Sequence, residues 1–354
     1  MKIKINKNLI GDNYPTYFIA DIGANHDGNL ERAKKLIELC AKAGANAAKF
    51  QHFKAETIVS DFGFKKIGKL THQSKWKKSV FQTYQDASID NNWTKSLKNE
   101  CKKNNIDFMT SPYDFEYVDS VNKYIDAYKV GSGDINWLEI ISRISKKNKP
   151  VIIATGASTI KEVENAVRTV LRNNKKLILM QCNTNYTNEQ KNFNFINLNV
   201  LKTYKKKFKD KLILGLSDHT SGHSTVLGAV ALGARVIEKH FTLAEDKKNS
   251  FRDHQLSASP EEFLTLKKKL DRIVLMKGNG VKKIEKGEKT ELIKSRRSLC
   301  AKKFLKKGEI LTRNNIVFLR PGGGIPPSYP NFLGKKIKLN IYKNQMIFNK
   351  DLAN

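Results

Sequence analysis

At 354 residues the chain is too long for one ordinary small domain and fits a large barrel-type domain with an appendage, or two mid-sized domains. Hydrophobic residues make up 40% and aromatics 9%, enough to bury a sizeable core, which excludes a disordered chain. Sixty-five Lys+Arg stand against 34 Asp+Glu, a net charge of +31, yet the lysines are scattered and no finger, knuckle or aromatic RNA-binding signature accompanies them. The excess therefore reads as a solvated basic surface rather than a nucleic-acid face. No apolar run approaches the roughly 20 residues of a membrane span. The opening stretch has no apolar signal region, so a cytoplasmic protein is expected. Cys40, Cys101, Cys182 and Cys300 lie far apart and form no CxxC pair, which suits a reducing compartment.

Along the chain, short β-branched apolar runs alternate with helix-period stretches. The runs fall at residues 17–23, 46–51, 106–111, 127–132, 150–155, 176–182, 212–217 and 235–241. Helical spacing fills 30–43, 93–104, 137–147, 160–172 and 225–233. Alternating strand and helix implies a parallel sheet. Eight such units over this length predict a (β/α)8 TIM barrel. A doubly wound sheet is the weaker alternative, because no GxGxxG follows the first strand. The chain changes character near residue 280. A charged stretch, 281–294, reads as a linker or surface helix, and 295–354 as a small, turn-rich β unit. The expected domains are thus 1–280 and 295–354.

In such a barrel, chemistry sits at the C-terminal ends of the strands. The eight ends carry, in order, Asp21; Lys49, Gln51 and His52; Thr110, Ser111 and Asp114; Lys129, Ser132 and Asp134; Thr155; Gln181, Asn183, Asn185 and Tyr186; Asp218 and His219; and Glu238, His240 and Thr242. His219 and His240 end neighbouring strands. They either share a divalent cation with open positions or are hydrogen-bonded polar groups at a barrel mouth. Asp218 and Glu238 are further ligands or groups that orient them. Lys49 and Lys129, with Thr110, Ser111 and Ser132, would offer cations and hydroxyls to a phosphate or carboxylate, unless they are surface lysines. Asp21 and Asp134 are general acid–base candidates, or simply partners of the lysines. His26, His52 and His254 are weaker candidates; His72 and His223 are read as surface or supporting residues. The residues alone lead to a metal-dependent barrel enzyme acting on a small anion, without fixing the reaction. A polyanion-binding barrel is the competing class.

The stretch Ala20-Asp21-Ile22-Gly23-Ala24-Asn25-His26-Asp27-Gly28 resembles the opening motif of the sialic acid synthase family. The resemblance continues through Lys49-Phe50-Gln51, Thr110-Ser111-Pro112, Lys129-Val130-Gly131-Ser132-Gly133, Gly215-Leu216-Ser217-Asp218-His219-Thr220, Glu238-Lys239-His240-Phe241-Thr242 and Asp253-His254. In the tail, Leu319-Arg320-Pro321-Gly322 is similar to the turn of the family's antifreeze-like SAF domain. The resemblance implies a transferase that condenses phosphoenolpyruvate with an N-acetylhexosamine, N-acetylmannosamine foremost, to make a nine-carbon sugar acid and release phosphate by C–O cleavage. Legionaminate and pseudaminate synthases are the alternatives within it. It also implies His219 and His240 as ligands of Mn²⁺, with Mg²⁺ or Co²⁺ as alternatives. Asp21, Lys49 and Asp134 become the catalytic candidates, and Thr110, Lys129 and Ser132 bind phosphoenolpyruvate with Lys49. Gln51, Asn183, Tyr186, Asp253 and Arg320 serve the substrate side. A domain-swapped homodimer is implied, in which one chain's tail caps the other's barrel. Asp21 and Asp134 stand where the family usually carries Glu, and Phe251-Arg252 replaces its Gly-Pro.

Overall fold

The computed structural model describes every residue except 69–72, 74–75, 187–188, 249–252 and 354, so His72, Phe251 and Arg252 lie outside the described residues. The chain divides into two compact units, Met1–Gly278 and Asn279–Asn354.

The first unit opens with an antiparallel hairpin, β1 (Lys2–Ile5) and β2 (Asn8–Gly11). Eight parallel strands follow: β3 (Tyr17–Gly23), β4 (Ala47–His52), β5 (Asp107–Pro112), β6 (Ala127–Val130), β7 (Val151–Ala154), β8 (Leu177–Cys182), β9 (Ile213–Asp218) and β10 (Val236–His240). Each pairs with its neighbours in sequence, and β10 closes on β3, so the sheet is a barrel with no open edge. The connecting helices are α1 (Leu30–Lys42), the trio α2 (Ala55–Ile58), α3 (Asp61–Ile67) and α4 (Val80–Ala87), then α5 (Trp93–Lys103), α6 (Phe115–Ser120), α7 (Leu138–Ser145), α8 (Ile160–Leu171), α9 (Val200–Phe208), α10 (Ser224–Ala231) and α11 (Pro260–Met276). The expected (β/α)8 barrel is the fold observed.

Strand side chains alternate between two apolar layers, because successive residues point to opposite faces. Phe18, Ala20 and Ile22 of β3 join the outer layer against the helices, where Phe18 stacks on Phe263 of α11 at 3.8 Å. Tyr17 and Ile19 face the lumen with Ala47, Met109, Ala127, Ile152, Ile178, Met180, Ile213 and Val236. Ile3, Ile5 and Ile10 of the hairpin belong to that same lumen cluster. The hairpin is anchored by Asp107, which accepts from Tyr17 Oη at 2.6 Å, Asn6 Nδ2 at 3.0 Å and Asn8 Nδ2 at 2.8 Å. One end of the barrel is thereby plugged, and chemistry is left to the other.

The second unit carries α12 (Lys289–Lys294) and a two-stranded antiparallel sheet, β11 (Ser298–Ala301) with β12 (Ile316–Leu319). Its own core gathers Leu299, Leu305, Leu311, Ile325, Ile341 and Ile347. Among the described residues no helix is long and apolar enough to cross a membrane.

Candidate active site

The alternation that fills the lumen with apolar residues also sets which polar residues reach its mouth. Two positions beyond Ile19 comes Asp21; beyond Ala47 come Lys49 and Gln51; beyond Ala127 comes Lys129. Likewise Met180 leads to Cys182, Ile213 by way of Gly215 to Ser217, and Val236 to Glu238 and His240. All of these line one cavity of about 510 Å³ at the C-terminal ends of the strands.

Its floor is ionic. Lys49 Nζ lies 2.7 Å from Asp21 Oδ2, and Lys129 Nζ donates to Glu238 Oε1 at 2.7 Å. The same Glu238 oxygen accepts from Ser217 Oγ at 3.0 Å and sits 4.0 Å from Lys49 Nζ. These four charged side chains are each at most 4% exposed. Burial alone would push the Glu238 carboxyl up, but Lys129 and Lys49 outweigh it and hold the group at about 2. Burial pulls Lys49 down, and Asp21 and Glu238 reverse the sign, so its ammonium is held above its usual range. Both groups remain charged at neutral pH.

His219 and His240 come together above this floor with ring centroids 5.3 Å apart. His219 Nδ1 lies 3.0 Å from the Asn183 carbonyl, which can only accept, so Nδ1 carries the proton and Nε2 keeps its lone pair. Burial, then the neighbouring His240, lowers His219 to about 3, so it is a neutral imidazole. His240 Nε2 is 3.5 Å from Asp21 Oδ2, while its Nδ1 faces Asp253 Oδ2 at 3.8 Å. Among the described residues, His240 Nδ1, Asp21 Oδ1 and Glu238 Oε2 are buried without a hydrogen bond. Buried polar atoms are rarely left so. Two imidazoles beside orphaned carboxylate oxygens suit a divalent cation. No group of three His, Cys, Asp or Glu side chains among the described residues forms a ready metal cluster. An ion held here would keep positions open for water and substrate, as catalytic sites require.

Ser132, Asp134, Tyr186 and Asp253 also line the cavity. Ser132 Oγ accepts from Gly156 N at 2.9 Å, and the Tyr186 ring packs edge-on against His219 at 4.5 Å. Burial raises the Asp134 carboxyl to about 6. Three expected residues of the barrel unit are placed elsewhere. Thr110 follows Met109 of the lumen layer and so faces outward; Ser111 reaches the cavity instead. The Asn183 side chain donates to Phe195 O at 2.9 Å and does not line the cavity. Asp218 points outward and pairs with Lys239 at 2.6 Å, which also donates to Thr220 O, tying down the loop that carries His219. Arg320 belongs to the second unit, just after β12. Ser217 and Cys182 were not anticipated, nor was an aromatic wall of Phe53, Trp76, Tyr84 and Tyr113. The helical part of that wall is signalled by the capping box Ser79–Gln82 that opens α4. A larger, shallow groove of about 680 Å³ runs outside the barrel along α7 and α8, but its Arg143 and Lys147 are committed to Asp119.

Residues 36–282 match the NeuB family and residues 296–353 match the SAF domain. The chain belongs to the NeuB family. It is 39% identical over 340 residues to an N,N'-diacetyllegionaminic acid synthase of Campylobacter jejuni, covering 94% of this chain and 98% of that protein. It is 37% identical to an uncharacterized protein of Methanocaldococcus jannaschii, over 99% and 98% of the two chains. The crystal structure of an N-acetylneuraminic acid synthetase from Leptospira borgpetersenii, in complex with citrate, superposes with a TM-score of 0.71 at 28% identity, covering 82% of this chain and 95% of that one. The NeuB and SAF assignments agree with the resemblance carried by the motifs.

His52 illustrates how the outward-facing residues of this NeuB barrel support the mouth. The Thr110 hydroxyl donates to Phe50 O at 3.0 Å, so it must accept from His52 Nδ1 at 2.7 Å; His52 Nε2 then accepts from Thr94 at 2.9 Å. Burial, with His26 nearby, lowers His52 to about 3. The unfolded chain takes up a proton near pH 6.5 that the native state refuses, so stability falls as pH drops from about 6.5 toward 3. Urea unfolding between pH 7.5 and 4.5 should show this loss. His52→Asn should flatten the slope by up to about 1.4 kcal/mol per pH unit below pH 6. Equal slopes in the two proteins would contradict the assignment.

Proposed function

We propose that this NeuB-family protein is a phosphoenolpyruvate-dependent nonulosonate synthase whose acceptor is a 2,4-diacetamido-2,4,6-trideoxyhexose rather than N-acetylmannosamine. The observation that carries the reaction is the buried floor of Lys49 and Lys129 set beneath His219 and His240 in one cavity. The acceptor is supported by the 39% identity to a named N,N'-diacetyllegionaminic acid synthase, against 28% to a named N-acetylneuraminic acid synthetase.

In this reading the lysines take the carboxylate and phosphate of phosphoenolpyruvate, with Ser111 and Ser132 as hydroxyl donors. A divalent cation held by His219 and His240, Mn²⁺ foremost, would act as a Lewis acid on the acceptor's aldehyde. C3 of the enol forms the new C–C bond to the aldehyde carbon. Water adds to C2, its proton leaves, and C2–O cleavage releases inorganic phosphate. Asp21 offers its unpaired Oδ1 to that water. Asp134, poised at about 6, moves a proton to the oxygen that begins as the aldehyde and ends as a hydroxyl.

Phosphate release from phosphoenolpyruvate tests the reading. With Mn²⁺ and a panel of hexosamines, the diacetamido-trideoxy acceptor should exceed N-acetylmannosamine by about tenfold or more in kcat/KM. Chelator should abolish turnover, and His219→Ala or His240→Ala should each cost at least about 100-fold. Turnover undiminished in chelator, or on no hexosamine at all, would overturn it.

The family resemblance further supports a homodimer in which Arg320 of one copy serves the acceptor in the barrel of the other. Arg320→Ala and His240→Ala should each be inactive as homodimers. Refolded together, they should regain activity, because one site of the mixed dimer has neither defect. Mixed dimers that form without regaining activity would exclude the swapped arrangement.

A further inference from the structure

Between β4 and α5 the barrel makes its longest departure from plain strand–helix alternation, through α2, α3 and α4. This excursion has apolar clusters of its own. Ala24, Phe53 and Ala87 pack with Ile58, Tyr84 and Tyr113. Val59, Trp76 and Val80 pack with Ile58, Tyr84, Phe64 and Phe81. Ile58 and Tyr84 belong to both clusters, so the two form one continuous surface. The rings interlock: Phe53 to Tyr84 at 5.4 Å, Phe53 edge-on to Tyr113 at 6.0 Å, and Trp76 to Tyr84 at 6.4 Å.

Five of these side chains, Phe53, Ile58, Trp76, Tyr84 and Tyr113, line the same cavity whose floor is ionic. The cavity is therefore two-faced. Its charges and histidines converge at the strand ends, while one wall is aromatic and aliphatic. A substrate that spans it must present charge or a carbonyl at one end and apolar groups at the other. The wall's polar atoms are the Trp76 indole N–H, the Tyr84 and Tyr113 hydroxyls and the Gln73 amide; against Ile58 and the ring faces between them a hydroxyl would lose its water without gaining a partner, whereas a methyl group would gain contact.

Resting on the acceptor reading above, we propose that Ile58, Trp76 and Tyr84 form an acceptor-selecting wall. It takes the methyl-bearing face of the hexosamine, meaning the deoxygenated C6 and the methyl of the second acetamido group. The charged floor handles phosphoenolpyruvate and the aldehyde and is indifferent to those groups. The excursion after β4, not the barrel, then sets which nine-carbon acid is made. One methylene in an apolar pocket is worth about 10–200-fold in specificity, enough to separate a trideoxy diacetamido sugar from a hydroxylated one.

The test uses the full-length protein with its divalent metal and reads the ratio of kcat/KM for the diacetamido-trideoxyhexose over N-acetylmannosamine. Ile58→Ala and Trp76→Leu should each lower that ratio by about tenfold or more, while the KM for phosphoenolpyruvate moves less than about twofold. Ile58→Val, which keeps the apolar surface, should hold the ratio within about twofold of wild type. Circular dichroism on each variant separates a reshaped wall from a lost fold. If the wild type prefers the diacetamido sugar but neither Ile58→Ala nor Trp76→Leu moves the ratio, the wall proposal falls and the acceptor reading stands. A proportional loss on both acceptors with intact fold would also sink it, because the wall would then be structural. A wild type that prefers N-acetylmannosamine overturns the acceptor reading and the wall with it.

Discussion

Two lysines buried at the end of a closed barrel are the constraint on which the site depends. Removing an ammonium group from water costs several kcal/mol even after relaxation, so Lys49 and Lys129 persist there only because Asp21 and Glu238 lie against them. The balance is uneven in a useful way. One oxygen of Glu238 is shared among Lys129, Ser217 and, more distantly, Lys49, while its other oxygen and Asp21 Oδ1 have no hydrogen-bond partner among the described residues. Each ammonium has three N–H donors and makes one short contact to these carboxylates, Lys49 to Asp21 and Lys129 to Glu238, so the cations are held in place with donor capacity to spare, ready for an anion that arrives with its own charge. Such preorganisation is what makes electrostatic stabilisation effective in a site shielded from water.

The barrel makes this arrangement possible through a single periodicity. Every second residue of a strand faces the lumen, so an apolar layer of Ile19, Ala47, Ala127 and Val236 is followed by Asp21, Lys49, Lys129 and Glu238 one step up. The N-terminal hairpin closes the opposite end with Ile3, Ile5 and Ile10. Outside, the pair Lys239–Asp218 braces the two strand ends that present His240 and His219. Surface charge plays a lesser part. A pair such as Lys78–Asp86 is well exposed, where it contributes little.

Much of this is legible in the sequence because parallel strands buried on both faces read as continuous apolar runs. The eight runs match the eight barrel strands to within two residues at each end. The hairpin is harder to see: its strands have four residues each, and only the alternation of Ile3 and Ile5 marks it. The start of α11 is written in Ser259-Pro260-Glu261-Glu262, a capping box with proline in its first turn. At the site, strand-end position brings Lys49, Lys129, His219 and His240 together but does not say which neighbour faces inward. Phase decides that, and it favours Ser111 over Thr110 and Glu238 over Asp218. The aromatic wall depends on how the excursion folds back over the mouth, which no local pattern encodes.

If the lysine–carboxylate floor seats the anionic substrate, its charge can be removed in matched pairs without leaving a lone buried ion. The direct measurement is calorimetric binding of phosphoenolpyruvate to the wild type and to the double variant Lys129→Met with Glu238→Gln. The account predicts a folded variant whose affinity falls by about 10–100-fold, the loss expected for a hydrogen bond to a charged group. Unchanged affinity in a folded variant would contradict it.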